Sequence, residues 1–205
     1  MRLVNGEHGY GAVTKSLHWL TVVAITVQFA VGWAMGVDDA ALDLEKDRID
    51  RFEEQIEEQG KDAEELFEPE IDRMQDALDA REDSYFTGAF AEPGLSLPEV
   101  HVLLGISIIL LGLLRVLWRI VTPLPPWAAH LSSGERRLQA CLEKILLTLL
   151  FVVPGTGLLL IAVGDDWLPL HIAAQLVLLA AIAVHVGLVV KHTVVRRNRH
   201  LARML

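Results

Sequence analysis

The sequence predicts an all-α integral membrane protein: a four-transmembrane-helix bundle with an acidic, helical extramembrane insertion between helices 1 and 2. Three observations predict it. Hydrophobic residues make up 52% of the 205, with a mean hydropathy of +0.38, yet 22% of the chain is charged. Such values coexist only where apolar and charged residues are segregated along the chain. They are: residues 38 to 99 hold 22 of the 27 acids and 6 of the 18 bases, a net charge of −16 against +7 for the remainder. Finally, four apolar runs each reach the roughly 20 residues needed to cross a bilayer.

Residues 1–37 comprise a short polar segment and the first span, Ser16 to Val37, which has no charged side chain. His18 and Trp19 open this span and Trp33 lies near its other end, where interfacial aromatics are expected. The run opens with a histidine and ends without a small-residue cleavage motif, so no removable signal is expected.

Residues 38–98 form the insertion. Leu42, Ile49, Phe52 and Ile56, then Leu66, Phe67, Ile71, Met74 and Leu78, recur at three, four and seven residues, which predicts two amphipathic helices broken near Gly60. Glu92-Pro93-Gly94 and Pro98 punctuate the return to the membrane.

Residues 99–190 carry the other spans. Leu97 to Val121 opens with His101 and closes with Arg115 and Arg119, which share a face. Thr122-Pro123-Leu124-Pro125-Pro126 ends it, and a polar loop runs through Gly134. The third run, Ala140 to Val163, has Glu143 and Lys144 in its first turn and a Pro154-Gly155-Thr156-Gly157 interruption expected to kink it. Asp165-Asp166-Trp167 turns the chain into Leu168 to Val190, with His171 near its start and His185 near its end. Residues 191–205 are a basic tail. The one cysteine, Cys141, excludes an intrachain disulfide and a cysteine metal cluster, and no C-x-x-C-H motif for covalent haem attachment occurs.

Four spans place both termini on one side. Arg2, Lys15, Arg115, Arg119, Arg136, Arg137, Lys144, Lys191, Arg196, Arg197, Arg199 and Arg203, every base outside the insertion, then collect on that same side. The positive-inside rule therefore predicts cytoplasmic termini and an external insertion.

This orientation pairs the histidines by depth. His18 and His185 lie toward the cytoplasm, His101 and His171 toward the outside. His171 and His185 are fourteen residues apart, about 21 Å along a helix and within about 40° of one face. Taken singly, each histidine could be an interfacial residue. Two antiparallel pairs at matched depths instead point to bis-histidine ligation of two b haems. Arg115, Arg119 and Lys15 are candidate propionate partners, with positive-inside anchoring as the alternative.

Several stretches carry a resemblance. Tyr10 with Lys15-Ser16-Leu17-His18-Trp19-Leu20, Glu99-Val100-His101-Val102-Leu103-Leu104-Gly105, Leu114-Arg115-Val116-Leu117-Trp118-Arg119 and Pro123-Leu124-Pro125-Pro126 resemble the bacterial cytochrome b561 family. That family is related to the cytochrome b subunits of hydrogenase and formate dehydrogenase. The resemblance implies a di-haem cytochrome of the bacterial inner membrane in which His18/His185 and His101/His171 are the axial ligands. It also implies exchange of electrons with ubiquinone or menaquinone, with His192 matching a further family histidine and a candidate quinone contact. Two departures stand out: Glu143 and Leu147 occupy positions where many members have a histidine and a tyrosine, and members typically have a short loop in place of 38–98.

The expected function is electron transfer between an external donor or acceptor and the quinone pool. Some members of the family are similar to superoxide oxidases, although an anionic substrate would be repelled by the insertion's charge unless the insertion folds away from the haem. The alternative is a haem-bearing anchor subunit that docks a dehydrogenase, a hydrogenase or a periplasmic cytochrome. The lipid bilayer, a basic redox partner at 38–98 and a homo-oligomer are the other candidate partners. No nucleic-acid partner is expected.

Overall fold

The computed structural model describes residues 2–6, 9–86, 95–127 and 131–196, all but 37–39, 82–86 and 165 with their side chains. The Glu92-Pro93-Gly94 turn and the tail bases Arg197, Arg199 and Arg203 lie outside the described residues. Helices dominate: α1 is Ala12–Glu57, α2 Lys61–Phe86, α3 Leu97–Val121, α4 Ser133–Val163 and α5 Leu168–Val190. A 3-10 turn, Asp165–Trp167, precedes α5, and a π-helical turn, Lys191–Val195, follows it. Among the described residues there is no strand, only an isolated bridge between Gly6 and Gly9. Four of the helices, α1, α3, α4 and α5 with its π-helical extension, are long and apolar enough to cross a membrane. The protein is thus an all-α membrane fold.

Helix α1 departs from expectation. At 46 residues it runs past Val37 and through the acidic segment to Glu57, because Ala40, Ala41 and Leu42 favour helix and no proline or glycine intervenes before Gly60. Gly60, at φ 100°, then breaks the chain where the pattern placed the break. Helix α4 also begins earlier than the loop through Gly134 implied. Ser132 caps it by accepting from the Glu135 N–H, and Glu135 reaches back to the Ser132 N–H. Ser96 and Glu99 start α3 in the same way, the Ser96 N–H donating to Glu99 Oε2 at 2.8 Å. The Pro154 to Gly157 stretch does not end α4, which carries on to Val163.

The described chain divides into two compact units, Met1–Thr26 with Val102–Leu205, and Val27–His101. In the second, the acidic part of α1 and α2 lie antiparallel. Ile49, Ile56, Ile71 and Leu78 are buried, and Phe52 meets Phe67 edge-on at 6.1 Å. Gln75 Nε2 donates to Glu53 Oε2 at 3.1 Å, and Arg81 pairs with Glu45. Of the periodic residues, Leu66 is the exception, at 73% exposed. In the first unit, α4 and α5 form the most extensive helix pairing. Outward side chains there, such as Leu114, Leu117, Leu176 and Val177, are apolar and exposed, which suits a surface facing lipid.

Candidate functional site

Helices α1 and α5 bring His18 and His185 together. Their ring centroids are 6.4 Å apart with the planes inclined at 59°. Bonds from imidazole nitrogen to a metal are about 2 Å, so two rings on opposite sides of one metal have centroids about 6 Å apart. The observed separation fits a bis-histidine haem site. Arg115, part-buried on α3, lies within electrostatic reach of both rings, and no hydrogen bond or ion pair holds its guanidinium among the described residues.

Arg119, one turn further along α3, is differently placed. Its two terminal nitrogens bind the two carboxylate oxygens of Glu143 on α4 at 3.0 and 3.1 Å. Such a fork is a strong, oriented pairing, and it leaves the two charges neutral together. Of the propionate candidates, Arg119 is therefore held in an ion pair within the protein, and Arg115 makes none among the described residues. Lys15 lines a cavity of about 240 Å³ with Arg2 and Tyr10.

The polar start of the chain ties this end of the unit together. Trp118 Nε1 donates to Thr14 Oγ1 at 3.0 Å, Thr14 donates to Asn5 Oδ1 at 2.8 Å, and Asn5 Nδ2 donates to the Pro123 carbonyl at 3.2 Å. Three of the stretches that carry the family resemblance, around Tyr10 to Leu20, Leu114 to Arg119 and Pro123, are thereby joined through side chains.

His171 sits at the other end of α5, buried to 8% exposure. Its Nδ1 is 3.0 Å from Thr156 Oγ1 on α4, and that hydroxyl is also 2.7 Å from the Val153 carbonyl. A Cβ on Gly157 would stand only 3.0 Å from His171 Cε1, so glycine is what lets the ring lie against the helix backbone. In the second unit, His101 is packed in a similar manner against Gly32, where an added Cβ would be 3.2 Å from its Cε1. Gln28, four residues before Gly32, has a buried carbonyl oxygen with no hydrogen-bond partner among the described residues. A polar atom left so in an apolar helix fits a site completed by a group from outside the chain. His101 and His171 belong to different units.

His192 is fully buried in the π-helical turn, its Nε2 3.8 Å from Glu135 Oε1. The same carboxylate takes Lys191 at 3.1 Å and Arg196 at 3.0 Å. His192 thus has no exposed surface to offer a ligand in this conformation. Among the described residues, no cluster of three or more histidine, cysteine or acidic side chains forms a metal site.

Thr156, Gly157, Gly32, Gln28 and the Glu143 partnership of Arg119 were not legible as site features from sequence. One signal was available: Gly32 follows His18 by fourteen residues, the spacing that separates His171 from His185. The sequence matches the family described as prokaryotic cytochrome b561 over residues 9–205, across all four apolar helices. The chain belongs to the prokaryotic cytochrome b561 family. A cytochrome b561 is a membrane b-type cytochrome of electron transfer, and membership implies that this chain binds b-type haem. No curated protein and no solved structure matches the chain.

Proposed function

We propose that this cytochrome b561 passes single electrons between the membrane quinone pool and an external redox partner through two b haems, each held by two histidines. The observation that carries the reading is the approach of His18 and His185 to 6.4 Å from two separate helices. For His101 and His171 the support is their matched positions along the second and fourth apolar runs. Haem, when bound, supplies a one-electron iron couple.

The chain's own groups then have distinct tasks. Imidazoles from α1 and α5 hold the iron on the side rich in bases. Arg115, which makes no hydrogen bond or ion pair among the described residues although Glu143 lies within electrostatic reach, is free to meet an acidic group there, and the carboxylate side chains of haem b have that chemistry. Arg2 and Lys15 offer further cationic contacts. An apolar groove of about 280 Å³, lined by Val13, Leu17, Leu114, Leu117, Trp118 and Val121, includes the sequence neighbours of His18 and Arg115 and suits a quinone's hydrocarbon portion. His192 comes within reach of a quinone only if the π-helical turn opens, and such turns are frequent at functional sites.

The distribution of bases supports cytoplasmic termini, and the family supports a bacterial membrane, here read as the inner one. On the outer face, a segment of charge −16 favours a basic redox protein over superoxide as partner. The same acidic helices are the one observation that favours the second reading, a haem-bearing anchor that docks a larger dehydrogenase or hydrogenase.

Haem extracted from the purified protein should number two per chain, and a quinol should reduce both in absorbance spectra. One haem or none, or no reduction by quinol, overturns the proposal. Co-purification with a stoichiometric dehydrogenase would select the anchor reading, and rapid reduction by superoxide would restore superoxide as donor.

A further inference from the structure

Thr156 makes two contacts through one oxygen, and together they decide a proton. Oγ1 lies 2.7 Å from the Val153 carbonyl and 3.0 Å from His171 Nδ1. A carbonyl oxygen can only accept, so the hydroxyl's single proton is directed at Val153. The same oxygen is then left as an acceptor, and the contact with the imidazole is satisfied only if Nδ1 carries the hydrogen. A neutral imidazole has one N–H, so Nε2 holds the bare lone pair.

We infer that Thr156 is a positioning residue that fixes His171 as its Nδ1–H tautomer and so presents Nε2 for ligation, with Gly157 as the surface that orients the ring. Threonine often bonds back to a carbonyl one turn earlier in its helix, which alone assigns it no task. Here the oxygen engaged in that bond also meets an imidazole from another helix, and the neighbouring residue lacks the Cβ that would push the ring away. Three ring atoms of His171 would lie 3.0, 3.5 and 3.6 Å from a Cβ at position 157, so the ring rests broadside on α4. The Pro154-Gly155-Thr156-Gly157 stretch thereby serves as a seat for the histidine of α5.

The inference rests on the reading of His171 as a haem ligand, and the two fail separately. A hydrogen-bond acceptor at the outer nitrogen of a ligating imidazole raises its basicity and fixes its plane. A more basic ligand favours the oxidised iron, so removing the acceptor should raise the midpoint potential of the haem that His171 ligates.

Thr156→Val keeps the shape and branching of threonine and deletes the hydroxyl acceptor, leaving the Val153 carbonyl as the other hydrogen-bond acceptor near the ring, and Thr156→Ser restores the hydroxyl. Potentiometric titration of the purified protein, monitored by absorbance, should show both haems bound in Thr156→Val. One of them should have its oxidised-to-reduced ratio at fixed potential changed by about tenfold, equal to about 59 mV for a one-electron couple. The low-temperature electron paramagnetic resonance signal of the same haem should move, and Thr156→Ser should return both readouts to those of the parent. If the valine variant does not assemble, Thr156→Ala deletes the same acceptor and should give the same shift. Unchanged potential and resonance in the variant lacking the hydroxyl would overturn the inference, while loss of one haem in His171→Ala would keep the ligand reading intact. Retention of both haems in His171→Ala would overturn that reading instead.

Discussion

The two ends of α5 treat their histidines differently. His185 faces another imidazole, that of His18, with the Arg115 guanidinium and the Glu143 carboxylate in its electrostatic surroundings. His171 has a hydroxyl on its Nδ1 and a glycine beneath its ring. At one end the structure supplies charge, and at the other a hydrogen bond and a seat. Since the protein can tune a haem through axial ligands, hydrogen bonds and burial, the two sites should differ in potential for different reasons.

The largest test of that contrast removes the imidazoles themselves. His18→Ala and His185→Ala should each abolish the same absorbance component, and His101→Ala and His171→Ala should each abolish the other, with one haem lost per chain. Loss of the same component from His18→Ala and His101→Ala would break the pairing.

Charge should matter at only one end. Arg115→Leu removes a cation near the His18/His185 site and should lower that haem's potential, since the reduced state loses more stabilisation. Glu143→Gln releases the charge of Arg119 and should raise it. With an effective dielectric near 20, a unit charge about 8 Å away contributes about 2 kcal/mol, so shifts of tens of millivolts are expected in redox titration. The other haem should stay within a few millivolts, and equal shifts at both would mean that the charge acts on the whole protein.

A smaller effect belongs to Glu135, which caps α4 and gathers Lys191 and Arg196. Capping interactions contribute about 1 kcal/mol, and the exposed ion pairs add little. Glu135→Ala should lower the melting temperature in detergent by about 2–4 °C and leave both haem spectra unaltered. Smallest of all, replacing residues 42–90 by a short glycine–serine linker should leave haem content unchanged, since no proposed ligand lies within them. That variant should lose salt-dependent electron exchange with a basic cytochrome c, seen as a rate that no longer falls with ionic strength. Equal rates before and after deletion would leave the acidic hairpin a structural role only.

What the sequence disclosed followed from periodicity and composition. The limits of α3 and α5 were readable because their apolar runs end at Thr122-Pro123 and Lys191, and the hairpin break was readable because of Gly60. The end of α1 was misplaced, since a change of composition at Asp38 marks a change of surroundings and not of backbone conformation. The histidines stood out because ionisable groups are rare in apolar runs. Their supports did not: Thr156 and Gly157 are unremarkable in a membrane helix, and only the pairing of α4 with α5 brings them to His171. Likewise Glu143 showed as a departure from a family pattern, while its grip on Arg119 required the neighbouring helix.

The forked pair between Arg119 and Glu143 has a bearing on how the chain reaches the bilayer. A charge near the middle of a helix raises the free energy of membrane insertion by about 2.5–3.5 kcal/mol, and by less toward the ends. Helix α3 carries Arg115 and Arg119 in its apolar run, and the apolar run of α4 carries Glu143 and Lys144 near its start, so each alone enters lipid at a penalty. Entering as a hairpin, with the carboxylate already clasping one guanidinium, the two segments bring in a neutral pair at their shared edge. Cotranslational integration of α3 should therefore wait on the emergence of α4 from the ribosome, coupling the order of synthesis to the topology of the finished protein.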